Sequence, residues 1–334
     1  MNTKEKTLFN FKNKSIFLAV IIIIQLVFIG CLYFGIMEKK KTLGVSISPI
    51  DKADIIIKGT EELKYFYEPK PNTVINDINL RVPYAKDIEY CINSDSLNDR
   101  YDYKVKKPKN TFRIITLGDS FTYGLYVNTK DNWSEKLEDK LNEECKDQHF
   151  EVINLGMHGY DIRYEIERYQ KRGVKYKPDL LIWLIIDESR FDEKLLPLNQ
   201  KIKKDMKKSG EFEDNIKEGK YYESWIKAKT QVLEELGEEN IIAYHERIIN
   251  ELNKGYNNRL LFLTRPNNST DRKLDKYFER LALNNQNRFF SKEIMNLKSQ
   301  MFFPNDGHPN AQGHLTIAGN IFNYLVDKRI ISCD

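Results

Sequence analysis

Between residues 112 and 264 the chain alternates short, almost uniformly apolar runs with longer segments whose apolar residues recur every three or four positions. The first run lies within FRIITLGDSFTYG (residues 112–124), where Ile114, Ile115, Thr116 and Leu117 stop at Gly118-Asp119-Ser120. Residues 150–155 (FEVINL), 179–186 (DLLIWLII) and 259–264 (RLLFLT) form three more. Runs this short, bounded by Gly, Pro or Asp, predict strands buried on both faces of a parallel sheet. Between them, residues 132–144 place Trp133, Leu137 and Leu141 at four-residue steps with charges in between, the pattern of an amphipathic helix. Further helices are predicted over 164–172 with Gly173 as the stop, over 221–254 with a break at Gly237, over 274–283, and from about 315 to 326. Alternation of strand and helix predicts βαβ units and an α/β fold.

The pattern changes outside this region. Residues 1–15 are polar with four Lys, and residues 16–37 are an uncharged run whose only strongly polar member is Gln25. That length spans a bilayer as a helix. Phe28-Ile29-Gly30-Cys31 loosely matches a lipoprotein cleavage site, yet the run continues through Leu32-Tyr33-Phe34, so an uncleaved single-pass anchor is the better reading. Lys39, Lys40 and Lys41 follow the run directly, which leaves little positive-inside bias. Residues 38–110 are irregular, with a Tyr65-Phe66-Tyr67 cluster and Pro69, Pro71, Pro83 and Pro108, and read as an extended segment packing on the domain formed by 111–334. Residues 187–219, rich in Lys and Glu, interrupt the alternation after the third strand. They read as a solvated helical insertion placed where a rim over a site could form.

Charge and cysteines narrow the function classes. The formal charge of +4 comes from the N-terminal region; from Thr42 onward there are 46 basic and 47 acidic residues. The folded part therefore lacks the basic field of a nucleic-acid binder. Cys31, Cys91, Cys145 and Cys333 are too widely spaced for a zinc site or a disulfide framework, although a single pair among the last three stays open. No metal or cofactor is expected.

The loops at the predicted strand ends carry the chemistry. A serine at the carboxyl end of a buried strand, ahead of a helix, occupies the crevice where open α/β sheets bind ligands. An Asp-Ser pair there is more often only a helix cap. Two further blocks change the odds: Asn154-Leu155-Gly156-Met157-His158-Gly159, and Asp306-Gly307-His308 within MFFPNDGHPNAQGH (residues 301–314). A serine nucleophile needs a base, a carboxylate that orients the base, and amide donors for the oxyanion. All these parts are present. His158 reads as a loop histidine satisfied by backbone.

With these three blocks the chain resembles the SGNH, or GDSL-like, hydrolases over residues 112 to about 326. The resemblance implies a three-layer α/β/α domain with a five-stranded parallel, flavodoxin-like sheet, preceded here by the transmembrane helix. It implies Ser120 as nucleophile, His308 as base, Asp306 as the orienting carboxylate, and the amides of Ser120 and Gly159 as the oxyanion hole. Two departures stand out. Asn305 occupies the acid's usual position three residues before the histidine, with Asp306 one residue nearer. The family's Asn donor after the third strand is replaced by Asp187-Glu188-Ser189-Arg190, so Asp187, Glu188 and Arg190 are the candidates for that position. One lost donor costs about 3–4 kcal/mol of transition-state stabilisation. An ionised carboxylate about 4 Å from the oxyanion adds a repulsion of about 4 kcal/mol at an effective dielectric of 20. Either a carboxyl is held protonated, or it turns away and Arg190 or another group substitutes.

The function expected from the resemblance is a membrane-anchored serine esterase or O-acetyltransferase, acting outside the cytoplasm on acylated cell-envelope glycan or small esters, in company with envelope polysaccharide machinery. The alternative is a catalytically impaired protein of the same fold that assembles or binds envelope glycan.

Overall fold

The computed structural model describes residues 63–77, 85, 87–220, 222–266 and 272–333. The predicted cytoplasmic tail (1–15) and transmembrane anchor (16–37) lie outside them. Among the described residues no helix is long and apolar enough to cross a membrane.

Among the described residues seven strands form two sheets. The chain first makes a two-stranded antiparallel ribbon, β1 (Thr73–Asp77) with β2 (Ile88–Ile92). The main sheet contains β3 (Thr111–Gly118), β4 (His149–Asn154), β5 (Leu180–Ile185), β6 (Arg259–Thr264) and β7 (Arg288–Ser291), in the order β4-β3-β5-β6-β7. Every pairing in it is parallel. The three inner strands are buried on both faces, as their unbroken apolar runs require. Strand β7, with only two apolar residues in Arg288-Phe289-Phe290-Ser291, is too short and too mixed to be read from pattern alone. The order reverses between β3 and β5, which is the flavodoxin-like switch point, and Ser120 follows β3 there.

The α-helices of the described residues are α1 (Ser120–Tyr123), α2 (Trp133–Glu144), α3 (Ile162–Arg168), α4 (Asp192–Ser209), α5 (Glu211–Lys217), α6 (Glu223–Leu236), α7 (Glu238–Gly255), α8 (Lys273–Asn284) and α9 (Ala311–Asp327). Helices α2 and α9 cover one face. Their Trp133, Leu137, Leu141, Ile317, Ile321 and Leu325 join Ile114, Val152, Ile182 and Leu261 in one core cluster. On the opposite face Phe278 of α8 stacks on Phe262 at 4.3 Å between ring centroids. The break between α6 and α7 falls at Gly237, and 187–219 is largely helical, with α4 and α5 exposing most of their charges.

Cysteine usage turned out more specific than its spacing: Cys145, after α2, and Cys333, after α9, form a disulfide across 188 residues. It staples the two helices of one layer.

Of the expected packing segment 38–110, residues 38–62, 78–84 and 86 lie outside the described residues, and the described ones build a second core. Leu63, Ile88, Tyr90 and Ile92 cluster with Tyr123, Tyr126, Met157, Tyr160, Tyr164 and Phe303, all from loops or helices near the end of β3 and β4. Arg113, fully buried in β3, closes the seam by donating to the carbonyls of Lys104 and Val105 and to Glu151.

Candidate active site

Ser120 opens α1 directly after β3. Asp119 caps that helix, its carboxylate accepting from the Phe121 amide at 3.0 Å, so Asp119 serves the turn and leaves the serine to face outward. Burial pushes the Asp119 carboxyl above the ordinary carboxylate range. Asn154 at the end of β4 ties the neighbouring loop to α1: its amide nitrogen donates to the Thr122 carbonyl at 3.0 Å and its oxygen accepts from the Gly156 amide at 2.9 Å. A Cβ on Gly156 would lie 2.3 Å from the Tyr123 nitrogen. Gly156 is thus required by close backbone approach and not by an unusual turn.

The candidate base, His308, comes from the loop before α9. Asn310 caps α9 through the Gly313 amide at 3.1 Å and holds the loop by donating to the Gln300 carbonyl at 2.9 Å. Within this loop Asp306 accepts from the His308 amide at 3.1 Å and from His308 Nδ1. One carboxylate oxygen closes the turn and orients the ring, which is how a spacing of two residues works where three is usual. Gly307, at φ +88°, supplies the reversal. Asn305 is exposed, and it is Asp306 that His308 Nδ1 meets.

Sequence-remote parts then meet. His308 Nε2 lies 2.8 Å from Ser120 Oγ, across 188 residues. With Nδ1 donating to Asp306, Nε2 is free to accept the serine proton. Ring contacts fix the imidazole: Phe121 at 5.1 Å and Tyr126, edge-on, at 5.4 Å between centroids. Tyr126, with φ +71°, is held by its amide donating to the Tyr90 hydroxyl at 2.9 Å. These supporting rings carry no motif, and only the fold reveals them. Beneath the loop, buried His314 of α9 accepts the Trp133 amide at 3.2 Å, which locks α9 to the start of α2. Burial first, and then the nearby His308, hold its pKa down to about 3, so it is neutral.

The three candidates for the missing donor each do something else. Glu188 turns away and caps α8, accepting the Lys273 and Leu274 amides at 3.0 Å each. Asp187 pairs with Lys229 of α6 at 2.5 Å and accepts from the Ser189 hydroxyl at 3.1 Å. Burial alone would raise its pKa, but Lys229, Arg190 and Ser189 outweigh that and hold it below the ordinary value. The carboxyl is therefore ionised and cannot donate to an oxyanion. Its charge is offset by Lys229, which removes most of the repulsion estimated from the sequence. Arg190 bonds Asp192 at 2.6 Å and donates to the Gly159 carbonyl, so it holds the loop that carries the candidate oxyanion amide of Gly159. Burial opposes its charge, but Asp192, Asp119 and Asp161 keep it protonated.

His158 differs from its expected role. Its ring is exposed against Tyr67 and Tyr123, at 5.9 and 5.3 Å, with no side-chain hydrogen bond among the described residues. It stands on the rim of the site. A cleft of about 1000 Å³ lies elsewhere, at the amino-terminal ends of β3 and β4, lined by Asn110, Glu138, Asn142 and His149 among others. Glu138 and Asn142 there are occupied with backbone groups of β4.

No protein-family profile and no curated protein matches the chain. Among solved structures it is similar to TesA, with a TM-score of 0.38 and 13% identity over 65% of this chain and 99% of that one. It is also similar to a variant of Axe2, an acetyl-xylooligosaccharide esterase from Geobacillus stearothermophilus, with a TM-score of 0.41 and 15% identity over 66% and 97% of the two chains. A third likeness, to a two-domain esterase active on acetylated mannans, has a TM-score of 0.41 and 15% identity over 67% of this chain and 52% of that one.

Proposed function

We propose that the chain is a serine esterase or O-acetyltransferase that acts through an acyl-Ser120 intermediate on acyl groups of cell-envelope polysaccharide. The observation that carries this reading is the hydrogen-bonded series Ser120 Oγ, His308, Asp306. Ser120 Oγ attacks the ester carbonyl while His308 Nε2 takes its proton, and Asp306 stabilises the imidazolium. The amides of Ser120 and Gly159 receive the negative charge on the carbonyl oxygen. His308 then returns the proton to the leaving alkoxide. Water attacking the acyl-enzyme completes hydrolysis; a sugar hydroxyl attacking it completes transfer. Both outcomes use the same residues.

The uncharged run at residues 16–37 supports a membrane tether, with the domain on the outer side. The Cys145–Cys333 disulfide is in keeping with that side, since such bonds persist in oxidising compartments. A second reading, an impaired protein that assembles or binds glycan, draws on one observation: an ionised Asp187 where a donor is expected.

Acetyl release from p-nitrophenyl acetate by the wild type and by Ser120→Ala tests the proposal. The wild type is expected to hydrolyse the ester and the variant to be inactive. Equal rates sink it and favour the second reading.

A further inference from the structure

The loop that Arg190 grips at the Gly159 carbonyl is also held by a residue far outside the resembling region. Tyr67 donates from its hydroxyl to the His158 carbonyl. We propose that Tyr67 is a positioning residue for the reaction, acting through the Gly159 amide. The inference rests on the serine-esterase reading, in which that amide binds the oxyanion.

The argument is one of peptide geometry. The His158 carbonyl and the Gly159 N–H belong to one trans peptide unit, so the two bonds point in opposite directions. Anchoring the carbonyl to Tyr67 turns the N–H to the other side of the loop. The next carbonyl, that of Gly159, accepts from Arg190. Two successive peptide planes are thereby clamped, one by Tyr67 and one by Arg190, and the Gly159 amide, which belongs to the first, is held from rotating out of line. A bond donated to the carbonyl also polarises its peptide unit and makes the N–H a better donor.

Tyr67 is itself firmly placed. The Tyr160 hydroxyl accepts from the Tyr67 amide at 3.3 Å and donates to the Tyr67 carbonyl, and the Tyr160 ring meets the Tyr67 ring edge-on at 5.1 Å. The Tyr65 amide donates to the Tyr164 hydroxyl at 3.0 Å. Glu68, the next residue, pairs with Arg168 at 2.9 Å and Arg172 at 2.6 Å. Burial raises the Tyr67 pKa above its ordinary value, so the hydroxyl keeps its proton. The segment that looked like a wrapping around the domain thus reaches into the site.

The test is Tyr67→Phe in the full-length protein, with Ser120→Ala in the same p-nitrophenyl acetate assay. Deleting an oxyanion donor outright costs about 10²–10³-fold in kcat; freeing one to rotate is expected to cost about 10-fold, since the donor remains. KM, the melting temperature and the pH of half-maximal activity should stay at wild-type values, because the Ser120–His308–Asp306 series is untouched. Glu68→Gln, which loosens the segment but keeps the hydroxyl, should lower kcat by a smaller factor. A Tyr67→Phe enzyme with wild-type kcat overturns the role, as does a fall in kcat matched by a rise in KM or a lost melting transition. If Ser120→Ala equals the wild type, the esterase reading itself fails and takes the role with it. If Ser120→Ala is inactive while Tyr67→Phe is unaffected, only the positioning role fails.

Discussion

The two halves of the site are built in different ways. The proton-transfer half is compact: Asp306 and His308 share one turn, Asn310 anchors that turn to α9, and α9 is tied to α2 by His314 and by the Cys145–Cys333 disulfide. The proposed oxyanion half is assembled from distant segments, with Tyr67 on one carbonyl, Arg190 on the next, and Asp192 and Asp161 bonded behind Arg190. A base can be oriented by a near neighbour in sequence, whereas a backbone amide can only be aimed by whatever grips its peptide from outside. The orientation of the imidazole by Asp306 is therefore local in sequence, whereas the aim of the Gly159 amide depends on contacts from distant segments.

The sharpest way to break this contrast is at Asp306. Asp306→Asn should lower kcat by about 10³–10⁴-fold, since an amide neither stabilises the imidazolium nor enforces its tautomer. Asn305→Ala should leave kcat nearly unchanged. Comparable losses in both variants, measured as steady-state ester hydrolysis, would mean that the turn is shared differently.

The covalent support of the first half comes next. The double variant Cys145→Ser/Cys333→Ser should lose about 2–4 kcal/mol of stability in urea unfolding. A loss below about 0.5 kcal/mol would show that packing of α2 on α9 alone holds this layer.

His314 gives the same half a pH signature. Its folded pKa of about 3 lies below the ordinary histidine value, so its stabilising contribution is complete above about pH 6.5 and is lost as the pH falls toward 3. At pH 5 the unfolded chain gains a proton that the folded one refuses, a loss of about 2 kcal/mol. Urea unfolding at pH 7 and pH 5 should show the wild type losing about that much more than His314→Gln. Equal losses would remove His314 from the acid response.

The smallest expected effect tests the other half. Asp187→Asn removes a charge already offset by Lys229, so kcat should rise only about threefold, a small part of the unscreened repulsion. A large fall would mean that the Asp187–Lys229 pair shapes the oxyanion side.

Much of this was legible in the chain. Four of the five parallel strands, the break at Gly237, and the blocks at Ser120, Gly159 and His308 all rest on local pattern. Strand β7 escaped because Arg288 and Ser291 dilute a four-residue run, and it sits at the edge of the sheet, paired with β6. The roles of Asp187, Glu188 and Arg190 could not be read either. Each has its nature set by a partner elsewhere: Lys229 for the first, the α8 amides for the second, the Gly159 carbonyl for the third.

What the amino-acid sequence determined by itself is where chemistry could occur, because a strand end, a tight turn and a helix cap are consequences of neighbouring residues. What only the tertiary structure decided is how that chemistry is equipped: which carboxyl stays charged, which cysteines join across 188 residues, and that Tyr67 reaches the His158 carbonyl. Charge state and peptide orientation depend on contacts in space, and those contacts exist only once the chain has folded.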